Sequence, residues 1–266
     1  MAKRRTVPDV TAAKGVRKLS MVTAYDYPSG YYVDQSGVDM ILVGDSLAMV
    51  VLGHDDTISV TMDEMIHHAR AVTRAARQAL VVGDMPFMSY HLSVEEAVFN
   101  AGRFMKEARV QAVKLEGGRQ FVPHVRAMAD AGIPVMGHLG LTPQRVHQFG
   151  GYKVQGREES VAKQLLEDAA ALAQAGCFAV VLECVPKDLG RQVTESIPVP
   201  TIGIGAGPHC DGQVLVFHDL LGMYERISPK FVKQYATLGP VITEALKAYR
   251  EDVEGGGFPG PEHCYD

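Results

Sequence analysis

The sequence predicts an α/β fold, a closed (β/α)8 TIM barrel formed by a single domain over residues 1–266. Two observations carry that expectation. Short runs rich in Val, Ile and Leu recur eight times along the 266 residues, and helical patterns separate most of them. Eight strand–helix repeats in about 250 residues match the barrel in count and size.

In order, the strand candidates are LSMVTAYD (19–26), MILVGDS (40–46), ALVVGDMP (79–86), AVKLEGG (112–118), IPVMGHLG (133–140), FAVVLECV (178–185), VPTIGIGAG (199–207) and QVLVFHDLLG (213–222). Their apolar residues run continuously instead of alternating with polar ones, the pattern of parallel strands covered on both faces. The helical segment 61–78 opens on a capping box, Thr61 with Glu64, and 93–109 repeats the signal with Ser93 and Glu96. Segment 159–176 closes on Gly176, a favoured residue just past a helix end. Shorter helices fit 28–37, 120–131 and 187–196, and a last long helix falls within 228–253. A short N-terminal extension and a C-terminal helix and tail complete the domain.

A doubly wound open sheet is the alternative. Its G-x-G-x-x-G turn after a first strand is missing: GIGAGP (203–208) has Pro208 in place of the last glycine and occurs late. GGYKVQG (150–156) lacks the Gly-Lys-Ser/Thr of a P-loop. One barrel is the better reading.

A net charge of −5 provides no basic footprint for nucleic acid. No apolar run approaches the length of a membrane-crossing helix, and Lys3, Arg4 and Arg5 precede no signal-like apolar stretch. Cys177, Cys184, Cys210 and Cys264 lack C-x-x-C spacing and read as reduced thiols. Cys184 follows a strand-end acid but has no visible partner base. The expectation is a soluble, cytoplasmic protein with neither a nucleic-acid nor a membrane partner.

Charges interrupt the apolar runs, and always near their ends. Strand two ends at Asp45 and Ser46, strand three at Asp84, strand four at Lys114 and Glu116, strand five at His138 and strand six at Glu183. Buried charges need a counter-charge or a metal, and barrel active sites gather at the C-terminal ends of the strands. Lys114 and Glu116, two apart, share one face. Asp45, Asp84 and Glu116 together would repel unless a proton or cation offsets them. An all-oxygen set suits Mg2+ or a similar hard divalent ion. Any one acid taken alone could instead cap the next helix. Lys114 suits an anionic substrate or could neutralise its acidic neighbours. His138 reads equally as a substrate ligand or as an ordinary hydrogen-bonded histidine. Glu183 is a candidate proton-transfer group, or a partner for a loop cation. His67 and His68 lack the H-E-x-x-H pattern and read as solvent-facing, and no G-x-S-x-G marks a serine nucleophile.

The blocks TAYDYP, ILVGDSLAMVVLGHDDT, VVGDMPFMSY, VKLEGG, GHLGLTPQ, GGYKVQG, VLECVP and IGIGAG stand in order across roughly residues 18–263. Together they closely resemble the ketopantoate hydroxymethyltransferase (3-methyl-2-oxobutanoate hydroxymethyltransferase) family. The resemblance implies a barrel of the phosphoenolpyruvate/pyruvate type, assembled as a homodecamer of two pentameric rings. It implies transfer of a one-carbon unit from 5,10-methylenetetrahydrofolate to 3-methyl-2-oxobutanoate, giving 2-dehydropantoate on the route to pantothenate and coenzyme A. It further implies one Mg2+ per subunit on Asp45, Asp84 and Glu116, substrate contacts from Asp45, Ser46, Asp84 and Lys114, and Glu183 as general base. His138 joins the expected substrate ligands as a hydrogen-bonding group toward the ketoacid or the folate. TISVTMDEM (57–65) departs from a more usual Leu-Pro-Val-Thr run, beyond the acidic ligands.

A Mg2+-dependent carbon–carbon lyase or phosphonomutase on the same barrel is the runner-up. Such enzymes carry a K-K-C-G-H-like loop after a middle strand, where this chain has GGYKVQG. A non-catalytic ring protein that merely binds metal or folate has no physical need for three clustered acids and Glu183.

Overall fold

Strands β1 (Leu19–Thr23), β2 (Met40–Val43), β3 (Leu80–Asp84), β4 (Ala112–Glu116), β5 (Val135–Gly140), β6 (Cys177–Glu183), β7 (Thr201–Ile204) and β8 (Gly212–Leu215) each pair in parallel with the next. β8 returns to pair with β1, so the sheet has no edge. The helices are α1 (Val7–Thr11), α2 (Tyr27–Gln35), α3 (Leu47–Val50), α4 (Met62–Ala75), α5 (Val94–Arg103), α6 (Val122–Asp130), α7 (Val146–Phe149), α8 (Glu159–Ala175), α9 (Lys187–Ser196), α10 (Phe217–Leu220) and α11 (Leu238–Glu254). This computed structural model describes residues 4–224, 226 and 229–266. The chain divides between Phe217 and His218 into two compact units, the first holding the barrel and the second α11. Among the described residues no helix is long and apolar enough to cross a membrane.

Alternation along each strand divides its apolar residues between two cores. Met21, Met40, Leu42, Val82, Ala112, Met136, Val181 and Ile202 fill the barrel interior. Their neighbours Ile41, Val43, Val81, Val113, Leu115, Val180 and Leu182 pack outward with the helices. Both faces are therefore apolar, which is why the strands read as continuous runs.

Residues at the strand starts are tied by ion pairs. Val10 and Ala13, on and just after α1, join the interior cluster. Asp39, just before β2, accepts from Arg17 Nη1 and Nη2 at 3.0 and 2.6 Å and from the Ser20 amide at 3.0 Å. Asp211, just before β8, accepts from Lys14 Nζ at 2.8 Å and from the Thr201 amide at 2.9 Å.

Several elements differ from expectation. α1 is not predicted, although Thr6 and Asp9 make a capping box with a proline in the first turn. Ser93 caps α5 by accepting from the Glu96 amide at 3.1 Å, but the reciprocal bond from the Ser93 amide to the Glu96 carboxylate is missing. α5 does not run to 109: a π-helical turn takes over at Phe104–Ala108 and ends on Arg109 at φ 58°. Strand eight stops at Leu215, because the Phe217 amide donates to Thr23 Oγ1 at 2.8 Å and residues 217–220 coil into α10. The last long helix begins at Leu238; Ser228, where its predicted window opens, lies outside the described residues. His67 is exposed as expected, but His68 is not: it is half-buried, with Nδ1 2.6 Å from the Tyr25 carbonyl.

Candidate active site

Past the apolar interior layers, the inward-facing row of residues turns ionic. On β3 the row runs Leu80, Val82, Asp84; on β4, Ala112, Lys114, Glu116; on β5, Met136, His138; on β6, Ala179, Val181, Glu183. The register sets Asp84 opposite Lys114 and Glu116 opposite His138. Asp45 and Ser46 follow β2 in the turn that leads into α3, two and three residues beyond the strand end. Asp45, Asp84, Lys114, Glu116 and His138 are each at most 4% exposed, so each charge must find its compensation inside the protein.

Lys114 Nζ supplies much of it. It donates to Asp84 Oδ1 and Oδ2 at 2.7 and 2.8 Å and lies 3.7 Å from Glu116 Oε1. The Asp45 amide donates to Asp84 Oδ2 at 3.3 Å. His138 stands between two acids, Nδ1 3.3 Å from Glu116 Oε1 and Nε2 3.2 Å from Glu183 Oε2. These are charge contacts without hydrogen-bond alignment: both ring nitrogens and Glu116 Oε1 are buried with no well-directed partner. Six of the seven predicted residues thus form one polar network. Ser46 belongs to a different contact, its Oγ 2.9 Å from the Tyr25 hydroxyl.

The electrostatics follow from burial and crowding. Burial pushes the Asp45 carboxyl well above its usual range, and the charges of Asp84 and Glu116 push the same way. Burial also raises Asp84, against the pull of Lys114. Glu116 is held below its usual value: burial would raise it, but His138, Lys114 and the Gln144 amide more than offset that. Burial opposes the charge on Lys114, yet Asp84, Glu116 and Asp45 keep its ammonium protonated far above neutrality. For His138, burial and Lys114 work against protonation, while Glu116 and Glu183 prevail and raise it to about 9. Burial, with Glu183 adding to it, pushes the Cys184 thiol up to about 12, which disfavours its thiolate.

Two residues that carry no charge escaped the sequence reading. Gln144, in the turn after β5, donates from Nε2 to Asp45 Oδ2 at 2.9 Å and from its backbone amide to Glu116 Oε2 at 3.1 Å. Tyr90, in the loop between β3 and α5, donates its hydroxyl proton to Gln144 Oε1 at 2.7 Å. Buried neutral polar residues have no signature in one sequence beyond sitting beside a charged strand end.

Lys114 thus contacts Asp84 and Glu116, and Gln144 contacts Asp45 and Glu116. Among the described residues no group of three or more His, Cys, Asp or Glu side chains is placed so that it could hold a metal ion without rearranging. The set still offers hard oxygen donors in excess of its cations, including Glu116 Oε1, which has charge contacts but no aligned hydrogen bond.

Comparison with solved structures bears on the fold. A phosphonopyruvate hydrolase superposes with a TM-score of 0.64 at 12% identity, covering 98% of this chain and 92% of its own. A 2,3-dimethylmalate lyase, a member of the PEP mutase/isocitrate lyase superfamily, superposes with a TM-score of 0.61 at 15% identity, covering 96% and 89%. Sequence comparison reaches further. The 3-methyl-2-oxobutanoate hydroxymethyltransferase of Syntrophobacter fumaroxidans is 67% identical over 99% of this chain and 93% of its own length. The family model described as ketopantoate hydroxymethyltransferase matches residues 4–261. By that match and that identity, the chain belongs to the ketopantoate hydroxymethyltransferase family.

Proposed function

We propose that this enzyme transfers a hydroxymethyl group from 5,10-methylenetetrahydrofolate to 3-methyl-2-oxobutanoate, forming 2-dehydropantoate for pantothenate and coenzyme A synthesis. The observation that carries the reading is the arrangement at the barrel mouth: Glu183, 16% exposed, stands at the edge of a buried cluster of three acids and one lysine. Proton removal needs a base that substrate can reach, and anion binding needs a fixed cation nearby. Glu183 and Lys114 fit those two tasks.

The acidic cluster fits a hard divalent cation. Its donors are carboxylate oxygens, Glu116 Oε1 is buried without an aligned hydrogen bond, and burial beside Asp84 and Glu116 disfavours a charge on Asp45 unless a cation joins it. Asp45, Asp84 and Glu116 would hold one Mg2+ per subunit. When bound, Mg2+ would supply Lewis-acid stabilisation for negative charge developing on the 2-oxo acid. Asp84 has both oxygens on Lys114, so a cation held there would compete with that ion pair, and the Lys114 ammonium would then be available to the substrate carboxylate.

Ser46 and Lys114 bind and orient the ketoacid carboxylate. The C3–H bond of the ketoacid breaks, its proton passes to a Glu183 carboxylate oxygen, and the electron pair is left on the enolate. His138, beside Glu183, positions that carboxylate and hydrogen-bonds the ketoacid or the folate. Opening of the folate ring breaks the first carbon–nitrogen bond, with a proton taken up by that nitrogen, and leaves an iminium. Water adds to its carbon with loss of a proton, and the second carbon–nitrogen bond breaks as the hydroxyl proton passes to the departing amine, releasing tetrahydrofolate and formaldehyde. C3 of the enolate bonds to the formaldehyde carbon, and the proton held by Glu183 goes to the new alkoxide. Overall, one ketoacid, one methylenetetrahydrofolate and one water give one 2-dehydropantoate and one tetrahydrofolate.

We place the reaction in the cytoplasm and the chain in a homodecamer, on the family resemblance. Sedimentation velocity tests the assembly. For the activity, the purified chain is mixed with both substrates and Mg2+, and 2-dehydropantoate is followed by NMR. Stoichiometric product supports the reading, and its absence with folded, metal-supplied protein overturns it.

A further inference from the structure

The side-chain amide of Gln144 is committed at both ends. Nε2 donates to Asp45 Oδ2 at 2.9 Å and to the Met85 carbonyl at 3.0 Å, and Oε1 accepts from the Tyr90 hydroxyl at 2.7 Å. Tyr90 is itself locked, because its oxygen accepts from the Glu116 amide at 3.1 Å. Both side chains are buried, Gln144 at 3% exposure and Tyr90 at 0%. The network also fixes which way the amide points. Turned over, it would set Oε1 against a carboxylate and a carbonyl, two acceptors, and leave Tyr90 facing an N–H.

The consequence lies in the acids. Through its side chain Gln144 occupies Oδ2 of Asp45, and through its backbone amide Oε2 of Glu116. On Glu116 this leaves Oε1, the oxygen that has no aligned partner. A neutral amide is the group suited to this task. A lysine or arginine here would cancel the negative field that attracts a cation, and a second carboxylate could not donate to Asp45 unless protonated.

We propose that Gln144, anchored by Tyr90, is a positioning residue that selects which oxygens of Asp45 and Glu116 are presented to a divalent cation. The inference rests on the reading that those acids hold the ion. It asks nothing of Gln144 in the chemistry itself. Groups that orient metal ligands from behind typically change metal affinity about 10–100-fold when removed.

The test is calorimetric titration of the full chain with Mg2+, for the wild type, Gln144→Met and Tyr90→Phe, with a thermal melt of each. Gln144→Met keeps length and volume while removing the donor to Asp45, and should weaken Mg2+ binding about 10–100-fold in a folded protein. Tyr90→Phe frees the far end of the amide and also removes the acceptor of the Glu116 amide, and should cause a loss in the same direction. A purely structural role would lower the melting temperature of both variants and leave Mg2+ affinity unchanged, and that result overturns the proposal. Should Gln144→Met fail to fold, Tyr90→Phe decides: weakened binding supports the proposal and unchanged binding overturns it. A wild-type chain that binds no Mg2+ overturns the metal reading and this inference with it. Wild-type binding with unaltered variants overturns this inference alone.

Discussion

Lys114 and Asp84 form a two-pronged ion pair across the β3–β4 register, with Nζ at 2.7 and 2.8 Å from the two carboxylate oxygens and both side chains buried. Removing the lysine would leave Asp84 buried beside Asp45 and Glu116 with no cation on it. Lys114→Met should therefore cost about 3–5 kcal/mol, the range for breaking a buried pair from one side. Urea denaturation measures it. The double variant Lys114→Met/Asp84→Asn should recover part of the loss, because it leaves no orphaned charge. Equal stability of the single and double variants would contradict the pairing.

Asp84→Asn alone keeps the shape of the site and removes one carboxylate from the set proposed to hold the ion. Mg2+ and ketoacid affinities should fall together, since both depend on the same cluster. Titration with each ligand checks this, and an unchanged Mg2+ affinity would count against Asp84 as a ligand.

Gly140 fixes the backbone of Glu183. Its φ is +94°, and a Cβ there would lie 2.2 Å from the Glu183 carbonyl oxygen, which accepts from the Leu141 amide at 2.9 Å. Gly140→Ala must displace that carbonyl as well as adopt a strained conformation, at a cost of about 1–3 kcal/mol. Turnover should drop more than ketoacid affinity does, because Glu183 moves while Lys114 and Asp84 stay. Steady-state kinetics with a ketoacid titration separates the two. Equal losses would point to general unfolding.

At the strand starts, stability depends on pH through Asp39. Burial alone would raise its carboxyl, but hydrogen bonds from Arg17 and the Ser20 amide, with the charges of Arg17 and Arg5, hold it below the usual range. A depressed folded value contributes stability that is present above the unfolded value of about 3.9 and is lost as pH falls through the folded value. Asp39→Asn should thus be less stable than the wild type at neutral pH, with the gap closing below about pH 4. Paired urea melts across that range test it, and a gap that persists in acid would contradict the assignment.

The strands and the ionic site are legible in the sequence for the same reason. A charge inside a run of Val, Leu and Ile is too costly to bury without a task, so Asp84, Lys114, Glu116, His138 and Glu183 mark both the strand ends and the site. Period-two alternation then shows which of them face inward together. Gln144 and Tyr90 are not legible, because a buried neutral side chain is informative only once its partners are known. β8 misleads for a different reason: Val216, Phe217, Leu220 and Leu221 extend the apolar run, while the bond from the Phe217 amide to Thr23 Oγ1 turns the backbone out of the ladder. The capping box at Thr6 uses Asp9 in place of the Glu or Gln of the usual pattern, which hides α1.

The central claim is that Glu183 takes the C3 proton of 3-methyl-2-oxobutanoate. Deuterium loss from that carbon, followed by NMR with Mg2+ and before any folate is added, tests it most directly when the wild type and Glu183→Gln are compared. The account predicts Mg2+-dependent exchange in the wild type and a loss of about 10²–10⁴-fold in the variant, with ketoacid binding retained. Exchange at the wild-type rate in folded Glu183→Gln would contradict it.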